Sequence, residues 1–164
     1  MSGSIETGNK LLLNTGLLSL HGMPRDRASR LLADVYRGYT TIQVEKFLDW
    51  TEGDEIYLAP TNHQWTHSEY RKIVKYDPQT GSLTLDDALR FYHYGAEEST
   101  DKDFDGLDMR GEVRLLTRNV RIVGNDNNDN WGGNILTMDR MEFDGSIRIA
   151  TTMLDSIEVA KCSQ

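Results

Sequence analysis

Short apolar segments separated by turn-forming residues run through the sequence, and they constrain the fold more than any other feature. Each is four to six residues long and is bounded by Gly, Asn, Asp or Pro, which is the pattern of a β-strand. Leu31, Leu32 and Val35 lie at roughly helical spacing, so residues 26–38 predict either a short helix or an extended segment. The chain is therefore predicted to be all-β, with strands at 10–13, 17–20, 40–45, 55–59, 71–76, 82–86, 112–116, 119–124, 134–138, 146–150 and 156–160.

The spacing of the last four segments separates them from the rest. They recur every ten to fifteen residues and are joined by turns of Asn, Asp and Gly. Such a ladder is typical of a solenoid, in which each coil covers the apolar face of the next. A β-sandwich also carries turn signals at similar intervals. Spacing alone leaves both architectures open.

Composition narrows the functional classes. The net charge of −8 over 164 residues repels phosphate backbones, so nucleic acid is not an expected partner. No apolar run is long enough to cross a bilayer, and the N-terminal residues do not form a signal peptide. The single cysteine, Cys162, rules out an internal disulfide and leaves the compartment open.

An acidic run at 101–112 matches the spacing of a calcium loop, with Asp101, Asp103, Asp105 and Glu112 as the candidate metal ligands. An EF-hand usually has an apolar residue at the eighth position and needs flanking helices. The eighth position here is Asp108, and no helical pattern flanks the run. The two interpretations that remain are a Ca²⁺ site on a tight turn and a solvated acidic turn.

Five ordered segments carry a resemblance to a known family. Together they resemble the region that joins the G8 domain to the right-handed parallel β-helix in a family of large extracellular proteins. That family includes the fibrocystin-like proteins, the cell-migration-inducing hyaluronan-binding protein and the transmembrane hyaluronidase. The segments are LLSLHGMPR at 17–25, LDWTEGDEIYLAPT at 48–61, DGLDMRGEVRLLTRNVRIVG at 105–124, WGGNI at 131–135 and VAKCSQ at 159–164.

The resemblance implies the start of a right-handed parallel β-helix. It favours an extended conformation for 26–38 and divides the single domain 1–164 into a G8-like remnant (1–25), an irregular β region with inserted strands (26–110) and short-strand coils (111–164). It also implies an extracellular or cell-surface location within a longer chain, whose further coils, or those of neighbouring chains, would be its partners. Acidic glycans are a second expected class of partner.

The family's active members guide the candidate site. Those that cleave hyaluronan carry a histidine where this chain has Asn134, and a longer cysteine-bearing insertion where it has NDNNDN at 125–130. The resemblance therefore favours a non-enzymatic structural or adhesive module, with a hyaluronan-degrading enzyme and a calcium-binding module as the alternatives. For the enzyme, the candidate catalytic residues are Arg118, Asp126 and Asp139, and the candidate ligand-binding residues are Arg110, Asn119, Trp131 and Asn134.

Two further expectations concern packing. Asp108, Arg110 and Glu112 share one face of an extended segment, so they are expected to pair internally or with Arg118. His93 aligns with a family histidine and is expected to pack among its aromatic neighbours, Phe91, Tyr92 and Tyr94.

Overall fold

The computed structural model describes residues 10–95, 107–124 and 132–162. These residues form β-strands and a single 3₁₀ turn at Trp65–His67, and they contain no α-helix. The predicted all-β class is confirmed. The strands are β1 (Leu11–Asn14), β2 (Leu17–His21), β3 (Ala28–Arg30), β4 (Thr41–Gln43), β5 (Glu55–Leu58), β6 (Glu69–Asp77), β7 (Ser82–Leu85), β8 (Glu112–Leu115), β9 (Arg121–Val123), β10 (Asn134–Thr137), β11 (Arg140–Met141), β12 (Ile147–Arg148), β13 (Thr151–Asp155) and β14 (Glu158–Ala160).

The chain folds as two compact units. The sheet unit is Arg25–Thr117, and the coil unit combines the described residues up to Pro24 with those from Arg118 onward. This division differs from the predicted segments, because β1 and β2 pair with late strands while β8 pairs with strands of the sheet unit. The alternative of a helix at 26–38 is wrong, since this stretch contains β3, a bend at 32–33 and a turn at 37–38.

The coil unit contains three parallel strand pairs. β1 pairs with β10, β2 with β13, and β9 with β14. Along the chain the order β1, β2, β9 is therefore repeated as β10, β13, β14, which makes two stacked coils of three strands each. This stacked parallel pairing is the arrangement that the predicted β-helix requires. A short antiparallel hairpin, β11–β12, projects between β10 and β13.

At two corners of the coil unit, a glycine of one coil is approached closely by a backbone carbonyl of the other. Gly22 follows β2 and donates its N–H to the Asp155 carbonyl over 2.9 Å, and Gly124 follows β9 and donates to the Ala160 carbonyl over 2.9 Å. In the coil formed by β10, β13 and β14, the residues after these two acceptors are Ser156 and Lys161, with φ of 54° and 55°. This left-handed turn directs their carbonyl oxygens at the two glycines.

The sheet unit contains one six-stranded antiparallel sheet with the order β3-β8-β5-β6-β7-β4. Leu32 N–H donates to the Gln43 carbonyl over 2.9 Å, and Glu45 N–H donates to the Ser29 hydroxyl over 3.0 Å. The sheet therefore curls until its two edges meet. Its interior is filled by the buried hydrophobic residues Leu31, Val35, Ile42, Val44, Trp50, Ile56, Leu58, Ile73, Leu83, Leu85, Leu89, Val113 and Leu115.

Among its described residues, the coil unit has no comparable core. Every buried hydrophobic residue among the described ranges lies in the sheet unit. In the coil unit, Leu17, Ile149 and Phe143 are 70%, 74% and 112% exposed. A parallel coil buries its apolar side chains only when neighbouring coils stack on it, so two coils leave much of this surface in water.

Candidate functional site

Two inward-facing charged residues on β6 begin the candidate site. Glu69 and Arg71 are two residues apart, so their side chains lie on the same face of the strand. Both are buried, with 3% and 9% of their surface exposed. The Arg71 guanidinium donates to the Glu69 carboxylate and to the carbonyl oxygens of Asp87 and Ala88, at 3.2 and 2.8 Å.

The other contacts of Glu69 reach the loop after β7. Its carboxylate accepts the backbone N–H groups of Arg90 and Phe91, each over 3.0 Å. His93, which is fully buried, places Nε2 at 3.2 Å from Glu69 Oε1 and Nδ1 at 3.0 Å from the Ala59 carbonyl oxygen. A carbonyl oxygen only accepts hydrogen bonds, so Nδ1 carries a hydrogen. We call Glu69, Arg71 and His93 the buried network.

The buried network fixes a loop that is also tied to the segment before β4. Val35 and His93 form an antiparallel bridge, with N–H···O distances of 3.0 and 2.9 Å. Leu89 accepts from Gly38 N–H and donates to the Tyr39 carbonyl, both over 2.8 Å. Residues 34–39 and 87–95 are therefore held together by backbone hydrogen bonds above a buried ionic network.

Three tyrosines protrude from these two segments. The Tyr36 ring lies 5.8 Å from that of Tyr39 at 67°, and 5.3 Å from that of Tyr92 at 47°. They are 51%, 48% and 42% exposed, respectively. We call Tyr36, Tyr39 and Tyr92 the tyrosine platform.

An acidic residue stands at the edge of the tyrosine platform. The Asp34 carboxylate accepts the Gly95 N–H over 2.9 Å and hydrogen bonds to the Tyr92 hydroxyl. Partial burial of the phenol, followed by the negative charge of Asp34, raises the pKa of Tyr92 to about 12. The hydroxyl therefore stays protonated at neutral pH and remains a hydrogen-bond donor.

Comparisons with known proteins identify several chains of similar sequence. Human fibrocystin-L is 30% identical over 152 residues, which cover 87% of this chain and 4% of the relative. The chain therefore resembles a segment of the fibrocystin-like proteins. Protein rliB of Dictyostelium discoideum is 24% identical over 79% of the fibrocystin-like chain and 11% of the relative. The cell surface hyaluronidase of Danio rerio is 31% identical over 52% of the chain and 6% of the relative.

These relatives are far longer than the fibrocystin-like chain, which spans between 4% and 11% of their lengths. No protein-family model matches it. Among solved structures, the Gp54 tailspike of Acinetobacter baumannii bacteriophage AP22, in complex with capsular saccharide, aligns with 77% of the chain and 18% of the tailspike. The TM-score is 0.40 and the identity 10%, which is too low to bear on the function of the chain.

The predicted calcium ligands lie mostly outside the described residues. Asp101, Asp103 and Asp105 are in the undescribed range 96–106. Glu112 opens β8, where its carboxylate pairs with Arg114 over 2.9 Å. Within the described ranges, no group of three or more His, Cys, Asp or Glu side chains is placed to hold a metal ion. Calcium binding stays a prediction.

The charged residues predicted to share one face, Asp108, Arg110 and Glu112, belong to two separate ion pairs. Arg110 donates through Nε and Nη2 to the two carboxylate oxygens of Asp108, each over 2.9 Å, while Glu112 pairs with Arg114. The Arg110 guanidinium lowers the pKa of Asp108 to about 2. The predicted internal pairing therefore involves Asp108 and Arg110, and pairing of the row with Arg118 stays a prediction.

A titration tests the Asp108–Arg110 pair. Because the pKa of Asp108 lies below its unfolded value, the ionised group stabilises the fold above that value, and the contribution is lost as pH falls through about 2. Arg110→Gln is expected to raise the pKa of Asp108 toward 3.8. The rise should be incomplete, because the positive charge of Arg30, 3.9 Å away, still lowers this pKa. Carboxyl ¹³C chemical shifts measure it. Arg114→Gln should leave Asp108 unchanged, and a pKa near 4 in the unaltered chain would contradict the pairing.

The remaining predicted residues take separate places in the coil unit. Asn119 Oδ1 accepts the Met23 N–H over 2.8 Å, and Asp139 Oδ1 accepts the Ala150 N–H over 2.9 Å. Asn134 opens β10, with its N–H donating to the Lys10 carbonyl over 2.8 Å. Arg118 is half-buried. Asp126 and Trp131 lie outside the described residues, so the predicted catalytic and ligand-binding roles stay predictions.

The expectation for His93 needs correction. Its burial is as expected, but its ring nitrogens face Glu69 and Ala59. The neighbouring rings have partners elsewhere, since Phe91 stacks on His67 at 4.0 Å and Tyr92 packs on Tyr36. The sequence analysis also missed the tyrosine platform. The only sequence signal was the presence of tyrosines in YRGY at 36–39 and FYHYG at 91–95.

Proposed function

We propose that this fibrocystin-like chain is a non-catalytic structural and adhesive module of a large cell-surface protein. In this proposal, further β-helix coils continue the coil unit, and the module contacts glycans at its surface. The observation that carries the proposal is the pair of stacked parallel coils with apolar side chains left in water. Such coils are stable when neighbours cover them.

The edges of the coils support continuation. Each strand of the three parallel pairs has one strand partner within the described residues, so its other side is a sheet edge there. Sheet edges of this kind are templates for adding another strand. The large apolar side chains exposed in the coil unit are Leu12, Leu13, Leu17, Met23, Val123, Met141, Phe143, Ile147, Ile149, Met153, Leu154 and Val159.

The relatives support the location. Fibrocystin-L contains the equivalent of this chain within 4% of its length, so such segments occur inside very long proteins. One relative is named as a cell surface hyaluronidase. By extension, the proposed site of action of this chain is the cell surface. Among its described residues, the structure contains no helix with the length and hydropathy that crossing a membrane demands.

Self-association tests the coil interface. On its own, the chain is expected to associate through its coil edges, with a mass that rises with concentration in light scattering coupled to size exclusion. Leu17→Lys on β2 and Val159→Lys on β14 place charges on this surface and should shift the chain toward monomer. Both side chains are exposed, at 70% and 46%, so folding should tolerate the changes.

A matched control is available in the sheet unit. Val74→Lys on β6 changes a side chain of similar exposure, 45%, and should leave the association unchanged. A chain that is monomeric at every concentration, or whose association responds equally to all three substitutions, would argue against coil stacking.

A hyaluronan-degrading activity is the second candidate, favoured by the 31% identity to a cell surface hyaluronidase. It would use Arg118, Asp126 and Asp139. Under the proposal made here, hyaluronan incubated with the chain, with or without Ca²⁺, keeps its length distribution on a gel. If the chain shortens hyaluronan and Asp139→Asn abolishes that shortening, the enzymatic function replaces the structural one.

A further inference from the structure

We propose that the tyrosine platform binds a pyranose ring of a neutral glycan, with Asp34 accepting a hydrogen bond from a sugar hydroxyl. The inference names a site and a ligand class for the glycan contact in the proposed function, and it rests on that function. It places the site in the sheet unit, on residues that the sequence analysis did not select.

The ring geometry fits a sugar face. The central Tyr36 ring lies against the other two at centroid separations of 5.3 and 5.8 Å and angles of 47° and 67°, so the rings form one tilted cluster, and each tyrosine is about half exposed. A pyranose presents C–H groups on its faces and hydroxyls around its edge. Tyrosine matches this division, because it has an apolar ring and a polar tip.

The polar edge of the tyrosine platform selects a glycan over an apolar protein surface. Under an apolar protein surface the Tyr36 and Tyr39 hydroxyls would lose their water, and the Asp34 carboxylate would keep only its bonds from Tyr92 and Gly95, which is costly. Sugar hydroxyls can donate to the carboxylate and accept from the phenols. A charged carboxylate at the edge also repels the uronate groups of acidic glycans, so the ligand is a neutral sugar.

The backbone segments that carry the tyrosine platform are fixed by hydrogen bonds. These two segments are joined by the Val35–His93 bridge and by the hydrogen bonds of Leu89. Beneath them, Glu69 holds the N–H groups of Arg90 and Phe91. Because little conformational entropy is lost on binding, a small contact surface can give measurable affinity. This assigns a purpose to the buried network, which is the positioning of Tyr92 beside Tyr36.

Calorimetric titration tests the site. The probes are cellotetraose and chitotetraose as neutral glycans, with a hyaluronan tetrasaccharide as the acidic comparison. At least one neutral probe is expected to bind, and more tightly than the acidic one. Tyr36→Ala removes the central ring and should weaken binding about three- to tenfold, while Asp34→Asn should narrow the difference between neutral and acidic probes.

The control is a second tyrosine pair, between β5 and β6 of the sheet unit, in which Tyr70 is exposed and Tyr57 is half-buried. Tyr70, 59% exposed, lies 5.2 Å from Tyr57, so Tyr70→Ala removes a similar ring outside the tyrosine platform and should leave affinity unchanged. Equal circular dichroism and melting temperature confirm that the variants fold. Failure of both neutral probes at millimolar concentration, affinity that is the same in Tyr36→Ala, or tighter binding of the acidic probe would each overturn the inference. None of these results bears on coil association, which the Leu17→Lys experiment measures separately.

Discussion

Replacing Glu69 with alanine is expected to lower the free energy of unfolding of the sheet unit by about 3–5 kcal/mol. The substitution leaves the buried Arg71 guanidinium without its carboxylate. It also removes the acceptor for the backbone N–H groups of Arg90 and Phe91, and the carboxylate oxygen that His93 Nε2 faces. A buried charge that has lost its partner bears its full desolvation cost, which explains the large effect.

The chain contains an internal control for this prediction. Glu112 and Arg114 on β8 form the same glutamate–arginine pair at the same two-residue spacing, but Arg114 is 61% exposed. Glu112→Ala should therefore cost less than about 1 kcal/mol. Urea unfolding followed by the fluorescence of Trp50, which is buried in the sheet unit, measures both variants. Similar losses from the two substitutions would show that burial of the network does not determine its contribution.

The second large effect is expected at the coil corners. A Cβ atom on Gly22 would lie 1.9 Å from the Ser156 carbonyl oxygen, and one on Gly124 would lie 1.9 Å from the Lys161 carbonyl oxygen. Both neighbours are backbone atoms, so no side chain can rotate away. Gly22→Ala or Gly124→Ala must separate the two coils locally, at a cost of about 3 kcal/mol or more.

Gly16 provides the matched control, because a Cβ atom there meets nothing within 4 Å. Gly16→Ala makes the same chemical change in the same unit and should be nearly neutral. Hydrogen exchange at the amides of β2, β9, β13 and β14 reports the opening of the coils. Protection that survives in Gly22→Ala and Gly124→Ala as well as in Gly16→Ala would mean that the corners are not tightly stacked.

Local strand positions were predictable from the sequence. The predicted segments at 55–59, 82–86 and 134–138 correspond to β5, β7 and β10, with ends that differ by one residue. The reason is that a strand's apolar and β-branched side chains, together with the turn formers at its ends, lie within the strand itself. The resemblance added the parallel coils, which spacing alone did not separate from a sandwich.

The pairing of strands was harder to predict. β1 pairs with β10 and β2 with β13 across more than a hundred residues. The sequence of a strand of four or five residues does not indicate which distant strand it pairs with. In the structure β1 and β2 pair with strands of the coils and β8 with strands of the antiparallel sheet, so the two units follow strand pairing and not the order of the chain.

The order of residues alone was enough to predict that this chain is built from short β-strands, that its net charge is −8, and that it resembles the fibrocystin-like proteins. These properties follow from residue type and local order. Which charges are buried, and which rings lie against one another, became visible in the folded structure. Glu69 contacts His93, and Tyr36 contacts Tyr92, because backbone hydrogen bonds between distant segments bring these residues together. The free energy of such contacts depends on burial, and burial depends on all the segments that pack around a residue.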